Sequence, residues 1–304
     1  MRLLFLLMLF CLPLTASSDK VFHYYCTAAD ERHFPQLLNL IGSIHKNDFD
    51  NLDQIAVFDL GLNLEQKTIV ERMDKTQVYS VEMVNPKLLT YFVTSPQGRS
   101  IRGWFAWKPV IFKQTLEMFP YAVYLDAGSL VLNSPNDLFK HIKENGHFLL
   151  SIAPHTIESV VTQTVRDKVL SKLPQEQQTF LLKNDTWMID GGFQGISRSL
   201  GDTYVTPMYK LASDLSVFAD DGTSKGGFGN ARHDQTLFSI YAQMNRLAMN
   251  DQGWSNLKVD GKAVPFHMHW DRSQVNDKTT IYRSRGDYTY GGNKTVYIHW
   301  RNPI

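Results

Sequence analysis

Tyr121 to Leu125 is a wholly apolar run that breaks without transition into Asp126-Ala127-Gly128-Ser129. A short run with no polar alternation is what a strand covered on both faces looks like, and such strands belong to parallel sheets flanked by helices. A carboxylate just past the end of such a strand lies where open α/β sheets bind their ligands. The flanks fit the same picture. Lys108-Pro109 suits a helix start, with Trp107, Val110, Ile111 and Met118 on one face, and Pro120 stops the helix. Leu130 to Leu132 resume a strand, and Ser134-Pro135-Asn136-Asp137 opens a further helix.

The N-terminal third carries the same alternation. Val21 to Cys26, Ile55 to Phe58 and Val78 to Val81 read as strands. Between them, Phe34, Leu37, Leu38, Ile41 and Ile44 form a helical stripe, and Asn63-Leu64-Glu65-Gln66 forms a capping box. This β-α-β-α-β order predicts the nucleotide-binding half of a doubly wound sheet. Later come a strand over Phe148 to Ile152, a helical stretch over Leu200 to Phe218, and a glycine-rich loop from Asp220 to Asn230. The best-patterned helix opens at His233-Asp234-Gln235, with Leu237, Ile240, Tyr241, Met244 and Leu247 as its buried stripe.

The central stretch resembles that of GT-A glycosyltransferases, in particular the glycogenin-like group, whose buried strand ends in an Asp-x-Asp that binds a divalent metal. Asp126-Ala127-Gly128 lacks the second carboxylate. The resemblance implies an α/β fold of GT-A type: a Rossmann-like, mostly parallel sheet with flanking helices and a smaller acceptor-side subregion. It divides one domain over residues 19–304 into a nucleotide-binding half, 19–133, and a sugar and acceptor half, 134–304.

The resemblance also names residues. Thr27 and Ala28 would lie against the nucleotide, and Asp126, Ala127 and Gly128 against the donor phosphates. Lys108 would reach the diphosphate, a role its place at a helix N-terminus also suits. Asp190 and Gln194, around Gly191-Gly192, would line the sugar pocket. Asp234 and Gln235 would face the transferred sugar or acceptor. Near the C-terminus His299 would join Asp126 as a ligand to manganese or magnesium, and Arg301 would touch phosphate; the group's full C-terminal motif is absent. Structural readings stand beside these: helix capping for Thr27 and Asp234, an Asx turn for Asp190, a solvated lysine for Lys108.

The expected activity is glycosyl transfer from a nucleotide-diphosphate sugar to a glycan, protein or lipid, retaining anomeric configuration if the resemblance holds. The rival is a secreted sugar- or nucleotide-binding protein without catalysis. A third reading, a metal hydrolase, rests on His267 and His269, placed i and i+2 on one strand face. A net charge of +1 over 304 residues disfavours a nucleic-acid partner. Residues 1–18 read as a secretory leader, with a membrane anchor as the alternative; the apolar run from Leu3 to Leu14 is shorter than the roughly 20 residues that span a bilayer. Its cleavage would leave no membrane span and a lumenal, secreted or periplasmic protein. Cys26 then stands alone, which excludes an internal disulfide. Asn184 and Asn293 begin glycosylation sequons.

Overall fold

A computed structural model describes residues 20–96, 98, 100–283 and 297–302. The leader, Arg99, Arg285-Gly286-Asp287 and the Asn293 sequon lie outside the described residues. In chain order the strands are β1 (His23–Ala29), β2 (Leu52–Asp59), β3 (Thr76–Ser80), β4 (Phe92–Thr94), β5 (Ser100–Arg102), β6 (Tyr121–Leu125) and β7 (Ser129–Val131). They continue as β8 (His147–Thr156), β9 (Trp187–Ser197), β10 (Met249–Asn250), β11 (Gly253–Val259), β12 (Lys262–His269) and β13 (Ile281–Arg283).

A seven-stranded sheet runs β10-β8-β9-β6-β1-β2-β3. Only β9 opposes the others, since β6 and β8 both pair with it antiparallel while the remaining pairs are parallel. The sheet is therefore mostly parallel, and Tyr121 to Leu125 lie at its centre with every residue buried. Two apolar cores cover its faces. On one face α1 (Phe34–Asp48) and α2 (Leu64–Glu71) join α4 (Asn136–Asn145), while α3 (Trp107–Met118) belongs to the other. On the other, α3 packs with the helix His233–Met244 and with Tyr204, Val205 and Met208. A second sheet, β11-β12-β13-β7, folds beside the first and takes its last strand from just after Asp126.

Local chemistry explains most boundaries. Asn63 accepts from the Gln66 amide at 2.9 Å while the Gln66 side chain accepts from the Asn63 amide at 3.2 Å, the reciprocal cap expected from the sequence. Gly146 ends α4 in the left-handed region. One expectation changes. Residues 200–218 do not form one helix: short turns and a six-residue helix, Thr206–Leu211, replace it, with Pro207 at its start. The polar stretch before Gly103 contains a hairpin, β4-β5, which its lack of apolar alternation concealed. No described helix is long and apolar enough to cross a membrane.

Candidate active site

Three carboxylates meet at the C-terminal edge of the large sheet. Asp126 leaves the end of β6. Asp190 leaves β9 where the register with β8 jumps: Leu149 faces Gln194, but Ser151 faces Ile189. Residues 190–192 form the resulting bulge, which re-aims a side chain without ending the strand. Asp234 comes from the first turn of the helix His233–Met244.

The two glycines of the bulge let everything else approach. A Cβ on Gly191 would lie 3.2 Å from Asp234 Oδ2 and from Gln235 Cβ. A Cβ on Gly192 would lie 2.2 Å from Asp126 Oδ2 and 2.1 Å from Arg283 Nη2, so any side chain there would have to displace this ion pair. Carbonyls in and just before the bulge are used as well. Gln235 donates to the Ile189 carbonyl at 2.7 Å, Lys108 to the Gly191 carbonyl at 2.9 Å, and the Asp126 amide to the Gly192 carbonyl at 2.9 Å.

Two buried cations bind the carboxylates together. Lys108 Nζ lies 3.2 Å from Asp126 and 3.4 Å from Asp234. With the Gly191 carbonyl, its three donor directions are spent inside the chain, so it organises the carboxylates instead of presenting a free ammonium to phosphate. Arg283 bonds Asp190 through Nη1 and lies 2.8 Å from Asp126 through Nη2. Strand register delivers it there, since β13 pairs with β7 and sets Arg283 opposite Ser129.

These contacts set the protonation states. Burial works against ionised Asp126, but Lys108 and Arg283 hold its carboxyl below the usual range. Burial likewise opposes the two cations, yet the carboxylates raise both. Asp234 goes the other way: burial, with Asp126 nearby, pushes it up to about 6 against the pull of Lys108. Its Oδ2 is buried and has only Lys108 beside it, at 3.4 Å.

Above these groups opens a cavity of about 620 Å³. Trp104, Phe105 and His233 form one wall, with the His233 ring 4.9 Å from that of Trp104. Gly103, Trp104 and Phe105 all sit in the left-handed region, at φ of 51°, 51° and 60°. For the two aromatics this is a strained backbone held by packing, a state found most often at functional sites. The glycine-rich loop supplies the opposite wall with Phe228 and Gly229. Asp220 fixes that loop by accepting from the Gly222 and Gly229 amides.

The structure thus brings Asp126, Asp190, Lys108, Asp234 and Gln235 to one cavity. Other expected residues fall elsewhere. Gln194 is fully buried beneath it and accepts from the Tyr204 hydroxyl at 2.7 Å. Thr27 and Ala28 are buried within β1, and Ala127 and Gly128 turn the chain behind Asp126; none of the four lines the cavity. His299 stacks on Phe49, and its amide donates to His45. Arg301 bonds the carbonyls of Met73 and Thr76. Both therefore sit at the start of β3 and the end of α1, the edge of the sheet opposite Asp126. His267 and His269 line a separate hollow of about 390 Å³ with Trp254 and Asp277.

A metal does not fit the expected ligands. Asp126 Oδ1 takes the Tyr124 hydroxyl at 2.6 Å and Lys108, Oδ2 takes Arg283, and His299 is at the far edge. Among the described residues no three His, Cys, Asp or Glu side chains could hold an ion together. Arg283 itself escaped the sequence reading. It ends a three-residue strand, and nothing in its neighbours marks it.

No family model and no curated protein matches the sequence. Among solved structures, core-mannan synthase A from Aspergillus fumigatus, in its Mn/GDP form, is similar with a TM-score of 0.50. The likeness covers 76% of this chain and 72% of that one at 11% identity. The chain has the GT-A glycosyltransferase fold. Mouse xyloside xylosyltransferase 1 matches over 88% of this chain and 98% of its own, at 11% identity and a TM-score of 0.46. The galactosyltransferase LgtC, solved with donor and acceptor sugar analogues, matches over 71% and 69%, at 15% identity and a TM-score of 0.46. Within this GT-A fold the cavity opens where β6 ends, at the carboxyl edge of the parallel strands, the edge at which open α/β sheets bind ligands.

Proposed function

We propose that the chain transfers a sugar from a nucleotide-diphosphate sugar to a glycan, protein or lipid acceptor, with the cavity above Asp126 as the donor site. The observation that carries this reading is the meeting of Asp126, Asp190 and Asp234 around two buried cations on the floor of that cavity. Buried charge of this density is costly to keep for stability alone, and perturbed carboxylates in a cleft mark functional sites.

The chemistry needs an aligned donor and acceptor, a stabilised leaving diphosphate and exclusion of water. Asp234, whose buried Oδ2 has only Lys108 beside it at 3.4 Å, is the group we assign to a sugar hydroxyl. Asp190, tied to Arg283 and to the Gly192 amide, has a fixed orientation and lines the sugar side with Gln235. Trp104 and Phe105 offer flat apolar faces, and the Phe228 loop covers the donor. Retention of anomeric configuration and a lumenal or extracellular workplace after loss of residues 1–18 complete the proposal. The test is a panel of nucleotide sugars offered to the full chain, read by release of free nucleotide and by proton NMR of the product anomer. Turnover of one donor, lost in Asp234→Ala, is the expected result.

A further inference from the structure

We propose that Arg283, and not a divalent ion, is the cation that meets the donor diphosphate in this chain. This rests on the reading of the cavity as a nucleotide-sugar site. The first ground is occupancy of the carboxylates. Asp126 offers both oxygens to protein groups, one to Tyr124 and Lys108 and the other to Arg283. Asp190 gives both oxygens to Arg283 and also accepts from the Gly192 amide. A divalent ion at Asp126 would have to displace a buried guanidinium or lie against it and Lys108, with like charges at contact distance.

The second ground is construction. Arg283 is held by strand register, by two carboxylates at different places in the chain, and by Gly192, where any side chain would collide with its Nη2. A guanidinium carries five N–H donors in a rigid fork, more than the Asp126 and Asp190 pairs need, and Arg283 lines the cavity. Planar pairing with phosphate oxygens is what that fork does best. Asp126 and Asp190 then act as positioning residues. Their negative charge is offset at the rim, where Arg32 and Arg232 also line the cavity.

The test is calorimetric titration of the full chain with UDP, GDP and their sugars, once in excess EDTA and once in manganese. The free-manganese electron spin resonance signal is followed in parallel. The inference expects one nucleotide to bind with affinity unchanged within about twofold by the chelator. It expects the free-manganese signal to stay undiminished when protein is added. Because a charge-assisted hydrogen bond is worth about 1.5–3 kcal/mol, Arg283→Lys should weaken that nucleotide about tenfold or more. Arg283→Lys keeps the charge and so guards against simple unfolding, which circular dichroism checks. Binding abolished by EDTA and restored by manganese would overturn the inference and leave the donor site standing. Undiminished binding in a folded Arg283→Lys would also overturn it. No binding of any nucleotide in either condition would overturn the donor site itself, and the inference with it.

Discussion

The guanidinium of Arg283 lies 2.8 Å from the carboxylate of Asp126, a residue 157 positions earlier in the chain. The same guanidinium bonds Asp190, with both side chains largely buried. Removing one partner of a buried ion pair leaves an uncompensated charge, at a cost of about 3–5 kcal/mol. Asp190→Asn and Arg283→Met should each lower stability on that scale in urea unfolding. The double variant should lose clearly less than the sum. Strict additivity would show that the two side chains do not interact.

Gly192 and Gly201 offer a contrast between otherwise equal substitutions. A Cβ at 192 would meet Arg283 and Asp126 at 2.1 and 2.2 Å, whereas a Cβ at 201 would meet nothing within 4 Å. Gly192→Ala should cost about 1–3 kcal/mol through forced displacement and should weaken nucleotide binding. Gly201→Ala should be neutral within about 0.5 kcal/mol. Equal thermal shifts for both would contradict the tight fit at the bulge.

The Asp234 carboxyl is pushed up to about 6 from an ordinary 3.8. Between these values the folded chain holds a proton that the unfolded chain has lost. The stabilisation from that proton is therefore complete below about pH 4 and is lost as the pH rises through about 6. Against Asp234→Asn, which cannot titrate, the wild-type chain should lose up to roughly 3 kcal/mol of relative stability across this window. Chemical denaturation at half-unit steps measures it. A constant difference would show that Asp234 titrates normally. If the ionised carboxylate takes part in transfer, turnover should climb through the same window.

His299 and Arg301 serve as a negative control on the site. His299 stacks on Phe49 at 3.7 Å between ring centres, and Arg301 ties the tail to Met73 and Thr76. His299→Ala should lower the melting temperature and leave nucleotide affinity unchanged. Lost affinity in a folded variant would return the C-terminal histidine to the site.

How much of this was legible in the sequence depended on how local each signal was. The β6 strand, the Asn63 capping box and the helix opening at His233 announce themselves within a few residues, because apolar periodicity and caps are short-range. Asp126 shares that legibility, since it stands where an apolar strand ends, whereas Asp190 and Asp234 were named by the family resemblance. The misplaced residues depended on distant partners. His299 looked like a ligand from its position near the tail, but the tail's docking on Phe49 and His45 decides where it goes, and no local pattern encodes that. Gln194 follows the bulge by two residues, and the bulge turns it into the core. Arg283 was invisible because its role depends on the pairing of β13 with β7, a contact between residues 281–283 and 129–131.

The measurement that bears most directly on the central claim is donor turnover by the full chain and by Asp126→Ala, across a panel of nucleotide-diphosphate sugars, with free nucleotide as the readout. One donor should be bound and consumed by the wild-type chain, and Asp126→Ala should abolish its turnover. Binding without turnover, even with candidate acceptors added, would point to a sugar- or nucleotide-binding protein. No binding of any donor, or full turnover by Asp126→Ala, would contradict the donor site proposed for this cavity.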